Sequence, residues 1–159
     1  ITDKVTVTLF TGEEALDKAM RRFMRARPRH AAPVSAAIPL ISNQEAWLNI
    51  ALLKQYHENM PVEKSRKMVL GLFRDLGLEK ITEKRNPALS EEERFYVMLL
   101  RAAMVERAAI VIDRPFAILP HLKNFHAVLT ALKTIDGLYA SCDIYDYDWM
   151  KDKYGALCR

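Results

Sequence analysis

The sequence has 159 residues, of which 50% are apolar and 28% are charged, and a formal net charge of +4, as is typical of one globular domain with a real core. No apolar run approaches the roughly 18 residues that a membrane-spanning helix needs, and no signal-peptide pattern opens the sequence, so any membrane contact is expected to go through a partner. The two cysteines, Cys142 and Cys158, lack metal-ligand spacing, which predicts free thiols and a cytoplasmic location.

The N-terminal part predicts a strand followed by a helix. Val5–Phe10 is β-branched and aromatic and ends just before Gly12, as a buried strand would. Apolar side chains then recur every three or four residues over residues 15–27, which predicts an amphipathic helix that Pro28 ends. Residues 36–41 are apolar but contain a proline, so they are either a short strand or an irregular connection.

The polar side of this first predicted helix is basic. Six cations follow one another with no acid between them, namely Lys18, Arg21, Arg22, Arg25, Arg27 and Arg29. Such a segment could attract nucleic acid or acidic lipid, but no stacking aromatic or recognition motif accompanies it. A solvated or partner-facing helix side is therefore the first interpretation, and no specific nucleic-acid binding is expected.

The middle of the chain predicts three helices. Their apolar spacing places them over residues 44–56, residues 62–76 and residues 90–106. Gly77 is expected to end the second helix in a left-handed conformation. Ser90 opens the third helix with a capping box, because a glutamate follows it three residues later.

The C-terminal part predicts the rest of the sheet. A strong strand at Ala108–Asp113 is followed by a helix over residues 121–134 and a third strand over residues 138–142. The order of strands and helices predicts an α/β fold with a mostly parallel sheet. We expect one domain over residues 1–159, with a helical subdomain of about residues 43–106 inserted between the core strands.

Five short motifs follow one another along the chain. They read GEEALDKA at residues 12–19, SNQEAWLNIAL at 42–52, LSEEE at 89–93, AIVIDRPF at 109–116 and SCD at 141–143. Their order and spacing resemble the ATP-binding domain of ABC transporters, a P-loop NTPase fold. In that family these places hold the Walker A loop, the entry to the helical subdomain, the LSGGQ signature, Walker B and the switch Thr-His-Asp. The most specific match runs from the LS pair to the Asp-x-Pro-Phe.

The Walker A position has lost most of what binds phosphate. A phosphate-binding loop needs glycines that let backbone N–H groups turn inward, a lysine, and a hydroxyl for Mg²⁺. Gly12 and Lys18 persist, but Asp17 replaces the second glycine and Ala19 replaces the hydroxyl. Because Asp17 would repel phosphate and could pair with Lys18, we expect an ordinary strand-to-helix turn here.

The signature position has reversed its charge. The resemblance implies that Ser90 and the positive helix end would face the γ-phosphate that a second subunit holds. Glu91, Glu92 and Glu93 instead put three carboxylates at this end. A helix that is capped by its own side chains, with little attraction for nucleotide, is the expected result.

The Walker B and switch positions have lost their catalytic groups. Asp113 matches the Mg²⁺-binding aspartate, but Arg114 replaces the carboxylate that would polarise the attacking water, and a guanidinium cannot accept a proton. Cys142 occupies the place of the switch histidine, and Pro120 occupies the place of the D-loop aspartate. Gln44 lies a few positions away from the place of the Q-loop glutamine.

Acids and aromatics alternate near the C-terminus. They lack the EF-hand pattern, so a surface-facing element is expected there rather than a cation site. The four histidines also lack metal or triad spacing, and no metal site is predicted. The alternating residues are Asp143, Tyr145, Asp146, Tyr147, Asp148 and Trp149.

These departures predict a catalytically inactive ABC-ATPase-like protein that binds no cofactor and acts as a structural or regulatory interaction module. The resemblance implies a truncated form of the fold, because only 11 residues precede Gly12, where relatives carry a β-subdomain with an adenine-stacking aromatic. The implied partners are a transporter permease or ATPase subunit, contacted through about residues 42–85, or a second copy in a homodimer.

The alternative is a divergent ATP-binding or ATPase subunit of an ABC transporter. It would bind Mg·ATP through the four motif residues that remain, Gly12, Lys18, Ser90 and Asp113. Because this alternative requires nucleotide, stabilisation by Mg·ATP separates it from the inactive module.

Overall fold

A computed structural model describes residues 2–158, in which four strands are separated by one or more helices. Short 3-10 helices occupy several of the connections, including Glu79–Ile81 and Asp148–Lys153. The regular elements are β1 (Val5–Phe10), α1 (Glu13–Ala26), β2 (Ala31–Val34), α2 (Ala46–Glu58), α3 (Val62–Asp75), α4 (Glu91–Ala103), β3 (Ala108–Asp113), α5 (Pro115–Ile118), α6 (His126–Thr134) and β4 (Tyr139–Tyr147).

The four strands form one sheet in the order β1-β4-β3-β2, and every neighbouring pair is parallel. In the register, Phe10 lies beside Tyr147, and Asp113 lies beside Tyr145. The carboxyl ends of β1, β3 and β4 therefore meet at one edge of the sheet. The prediction of an α/β fold with a mostly parallel sheet is confirmed.

Both faces of the sheet are covered, as its central strands require. All six residues of β3 are buried, which is the pattern of a parallel strand between two layers. On one face, Phe23 of α1 packs with Ala109 and Val111. On the other face, Ile110 and Ile112 belong to the main core, which also includes the inward sides of α4 and α6.

The three helices α2, α3 and α4 lie in the chain between β2 and β3 and pack mainly on one another. Gly77 has φ +69° after α3, so the predicted left-handed end is confirmed. Ser90 and Glu93 form the predicted capping box at α4. Within residues 2–158, no helix is both long enough and apolar enough to cross a membrane.

Buried polar contacts fix the segment that leads into α2. Asn49 is 4% exposed, and its side chain accepts a hydrogen bond from Ile41 N at 2.8 Å and donates to Ile41 O at 3.1 Å. Arg101 of α4 donates to the carbonyls of Ile38 and Pro39 at 2.6 and 2.9 Å. These contacts hold an irregular connection in place, and the strand considered for residues 36–41 does not form.

A strand that was not predicted forms at Ala31–Val34, where Pro33 is tolerated because β2 is an edge strand. Two predicted elements also begin or end far from their predicted places. The helix predicted from residue 121 begins only at His126, since the preceding turns place Phe125 in the core and bond its N–H to Lys153 O at 3.0 Å. The last strand continues to Tyr147, well beyond residue 142.

Candidate functional site at the carboxyl edge of the sheet

The candidate site is the edge where the parallel strands end, because open α/β sheets bind ligands outside the carboxyl ends of their strands. Asp113 is the last residue of β3, and Tyr147 is the last residue of β4. Ser35 follows β2, and Gly12 stands between β1 and α1. Asp113 and Gly12 were predicted from motifs, whereas Ser35 and Tyr147 were not.

Asp113 is already fully engaged by its neighbours. Its side chain is mostly buried, with 9% of the residue exposed. Oδ2 accepts a hydrogen bond from Ser35 Oγ at 2.9 Å, and Oδ1 accepts one from Arg114 Nε at 2.9 Å. A longer contact joins Arg114 Nη2 to Oδ2 at 3.5 Å. The guanidinium therefore lies across both oxygens of this carboxylate.

The backbone directs Arg114 back onto its neighbour. Arg114 has φ 48°, a left-handed conformation that is uncommon for a residue with a side chain, and its N–H donates to Tyr145 O at 2.8 Å. Its Nη1 donates to the Tyr147 hydroxyl at 3.2 Å. The hydrogen bond to Asp113 is the main cause that raises the pKa of Arg114 above its usual value, so the side chain remains a cation.

The connection from β1 to α1 does not form a phosphate-binding loop. Only Thr11 and Gly12 separate the strand from the helix, and Gly12 is extended with φ −174°. Asp17, Lys18 and Ala19 accordingly lie inside the helix, after its first turn. The expected ordinary strand-to-helix turn is what the structure has.

The expected pairing of Asp17 with Lys18 does not form. Both side chains are exposed, and neither makes an ion pair within 4.0 Å among residues 2–158. Consecutive helix positions point about 100° apart, which separates the two charged groups. Lys18 instead lies one turn before Arg21 and Arg22 on the helix surface.

The start of α4 is closed by its own side chains. Ser90 Oγ accepts from Glu93 N at 3.1 Å, and Glu93 Oε1 accepts from Ser90 N at 2.9 Å. Glu92 accepts from the Tyr96 hydroxyl at 3.0 Å, and the pKa of Tyr96 rises to about 12 through burial and this contact. Glu91 lies 3.9 Å from His121 Nε2. The positive helix end is thus surrounded by carboxylates.

Comparison with solved structures identifies the fold. The ATP-binding cassette MJ0796, solved as a dimer in a post-hydrolysis state bound to ADP and Pi, has a TM-score of 0.62 and 15% identity over 94% of this chain and 76% of that chain. CbiO1 from Clostridium perfringens, part of the ABC transporter complex CbiONQ, has a TM-score of 0.67 and 16% identity over 98% of this chain and 70% of that chain. The chain has the fold of an ABC ATP-binding domain.

This fold is found from structure and not from sequence comparison. No protein-family model matches the sequence. No curated protein matches it significantly either. The suspected resemblance to ABC ATP-binding domains is therefore confirmed at the level of fold, through the arrangement of strands and helices and not through shared side chains.

Cys142 does not lie at the edge of the ABC-type fold where the switch residue was expected. It is fully buried in the middle of β4, between Val5 of β1 and Ile110 of β3 in the register. Burial raises the pKa of its thiol, so it is an inert core residue. Because β4 runs on to Tyr147, the strand end falls five residues later than the motif placed it.

The structure shows a second buried acid that sequence reasoning missed. Asp146 is 2% exposed, accepts hydrogen bonds from the Tyr154 hydroxyl and from Tyr147 N, and has a pKa that burial raises. The expectation of a surface-facing element is wrong for this residue. From Cys142 to Tyr147 every second residue of β4 is buried, and this two-residue alternation is the signal that could have found Asp146.

The residues at the edge do not fit Mg·ATP. The Arg114 guanidinium lies across both oxygens of Asp113 and would have to be displaced before Mg²⁺ could bind there, and Ala19 offers no hydroxyl as a second ligand. Within residues 2–158, no three His, Cys, Asp or Glu side chains cluster as metal ligands would. The acidic first turn of α1, with Glu13 and Glu14, also disfavours phosphate.

Proposed function

We propose that this protein is a catalytically inactive ABC-ATPase-like module that works through protein contacts, with an ABC transporter permease or ATPase subunit as its partner. The observation that carries the proposal is the guanidinium of Arg114 on Asp113. A metal ion would have to displace this cation, and no carboxylate follows Asp113 to activate water. The turn at Thr11 and Gly12 supports the same conclusion, because it is too short to form a phosphate-binding loop.

The exposed apolar residues support a partner that contacts the helical region. Six large apolar side chains are exposed in the described chain, and four of them lie between Ile38 and Val62. Tyr56, near the end of α2, is 83% exposed. These four residues lie close together in the sequence, from the segment before α2 to the start of α3, and exposed apolar side chains of this kind are typical of protein–protein contacts. The solved CbiO1, a neighbour in fold, is part of a transporter complex, which favours a partner of that class.

Nucleotide binding and turnover test the inactive state. We expect no ATP hydrolysis above that of the Asp113→Asn variant, and no thermal stabilisation by millimolar Mg·ATP. If the protein bound ATP, an ATP concentration of 100 times the dissociation constant would add roughly 2.7 kcal/mol to the free energy of unfolding. Hydrolysis that disappears in Asp113→Asn would contradict the proposal and establish the divergent ATPase instead.

Co-purification tests the partner. The protein is co-expressed with permease and ATPase subunits of an ABC transporter from its own organism, and it is expected to co-purify with one of them. A Tyr56→Ser/Val62→Ser variant should lose this complex, while Trp149→Ser, which changes an exposed aromatic elsewhere, should keep it. Absence of any complex, or equal loss in both variants, would contradict contact through the helical region.

A further inference from the structure

The outward side of α1 carries a compact row of cations. Lys18, Arg21, Arg22 and Arg25, here called the basic face, follow at spacings of three and four residues and therefore lie on one side of the helix. All four are exposed. The apolar side of α1, through Leu16 and Phe23, is buried against the rest of the molecule. The basic face is thus fixed outward on a helix that the core anchors.

The cations of the basic face form no ion pairs within the described part of the chain. Among residues 2–158, no member of the basic face makes a salt bridge within 4.0 Å. Attraction to the negative end of the helix accounts at most for Arg25, because this effect falls off within the last turn. Within the described residues, Lys18, Arg21 and Arg22 therefore have no carboxylate at contact distance.

Further cations follow the basic face beyond the end of α1. Within the face itself, the long side chains of the four cations leave an open space of about 530 Å³ between them. Beyond α1, Arg29 is exposed at the start of β2, and Arg107 is exposed at the start of β3, where the two strands are joined by Ala109 N donating to His30 O at 2.8 Å. The acids of α1 precede the basic face: Glu13 and Glu14 lie in the first turn, and Asp17 lies one turn before Arg21.

We propose that the basic face binds the phosphodiester backbone of a nucleic-acid strand without reading its sequence. A basic sequence, here with a pI of about 9.1, and cations clustered along one helix are the electrostatic footprint of such binding. Three of the four cations are arginines, whose planar forks bind phosphate oxygens in pairs. The apolar residues Leu16 and Phe23 of α1 are buried in the core and are not available to insert into a bilayer, which favours a nucleic-acid strand over a lipid surface.

Anisotropy of a short labelled oligothymidylate, measured over a salt series, tests the binding. Release of counterions from four phosphates of a single strand gives a slope of log affinity against log salt of about −3. The affinity is then expected to fall roughly 50-fold between about 50 and 200 mM salt. Absence of binding at the lowest salt, or affinity that does not change with salt, would overturn the proposal.

Charge reversal assigns the binding to this face. Arg21→Glu/Arg22→Glu/Arg25→Glu is expected to weaken binding at least tenfold, because each lost cation removes a phosphate contact. The matched control is Lys64→Glu/Lys67→Glu/Arg74→Glu, which makes the same charge change at exposed positions of α3. A triple alanine variant of the three arginines keeps the helix, since alanine has the highest helix propensity, and should also lose binding. Equal loss in the α3 control would overturn the assignment.

Vesicles decide between the two sources of phosphate. Vesicles of phosphatidylcholine with phosphatidylglycerol are added to the wild type and to the arginine variants under the same salt conditions. We expect the oligonucleotide to bind and the vesicles to bind no better to the wild type than to the variants. Vesicle binding that depends on the three arginines, with no oligonucleotide binding, would overturn the nucleic-acid proposal in favour of an anionic lipid surface.

Discussion

Asp113 and Asp146 lie at the ends of neighbouring strands, and the protein keeps each of these buried acids in a different way. Asp113 is held by an arginine and a serine, so its charge is balanced by a cation. Asp146 is held by a tyrosine hydroxyl and a backbone N–H, and burial raises its pKa. The charge of Asp113 is balanced by a cation, whereas burial disfavours the charged form of Asp146.

Contacts within the chain hold both acids at this edge of the sheet. In both acids the oxygens that could bind a ligand accept hydrogen bonds from within the chain. A buried polar group whose bonds are all made internally stabilises the fold and offers little to a ligand. Variants that remove one partner at a time should show how much the stability of the protein depends on the contacts of each acid.

Tyr154→Phe is expected to have the largest effect. It removes the hydroxyl that donates to Asp146, and it leaves a buried carboxylate short of a partner in the core. Loss of a hydrogen bond to a charged group of this kind costs about 2–3 kcal/mol of the free energy of unfolding. Urea unfolding at pH 7 measures it, with Tyr56→Phe at an exposed position as the control. A loss no larger than that of the control would mean that Asp146 needs no hydroxyl donor.

Arg114→Met is expected to have a smaller effect, although it removes the only cation that pairs with Asp113 among the described residues. The Arg114 side chain is 35% exposed, so solvent screens the pair and water can replace part of its contacts. We expect a loss of about 1–2 kcal/mol in the free energy of unfolding. The control is Arg74→Met on α3, and an unchanged stability of Arg114→Met would show that the pair contributes nothing.

Ser35→Ala tests the weaker partner of Asp113. The serine is 4% exposed and donates at 2.9 Å, while the arginine remains to balance the charge. The expected loss is about 1 kcal/mol, the typical contribution of one hydrogen bond. A Ser35→Ala/Arg114→Met double variant, measured by the same unfolding assay, should lose more than the sum of the single variants, because Asp113 then has no side-chain partner. Simple additivity would contradict a shared role.

The two acids also differ in how far the sequence could predict them. Asp113 ends an apolar run that clearly predicts a buried strand. Arg114 cannot act as a base, because a guanidinium stays protonated. The sequence could not show that Arg114 turns back onto Asp113, because this depends on a left-handed backbone and on Tyr147 from another strand. Contacts between distant segments are what motif reasoning lacks.

Asp146 was missed for a related reason. The motif match ended the last strand near Cys142, and acids are rarely buried, so an acidic and aromatic segment was assigned to the surface. Its partner Tyr154 follows in a separate turn, and nothing in the local pattern joins the two. For α1 the periodicity was the better guide, because it predicted a helix from residue 15 that includes Lys18, and α1 begins at Glu13. Order and spacing predicted the fold but not the burial of Asp146.

Asp146→Asn should have the smallest effect at neutral pH and the most specific dependence on pH. Because the pKa of Asp146 is raised in the folded protein, the native state holds this proton more tightly than the unfolded chain. Its contribution to the free energy of unfolding therefore decreases as the pH rises from about 4 through the folded pKa, and is constant above it. The stability of the wild type relative to Asp146→Asn is expected to fall over that window, as urea unfolding at a series of pH values would measure. Asp148→Asn, at an exposed position, is the control. A difference that rises with pH would mean that the contacts with Tyr154 and Tyr147 outweigh burial, and that Asp146, like Asp113, is an acid whose charge the fold has balanced.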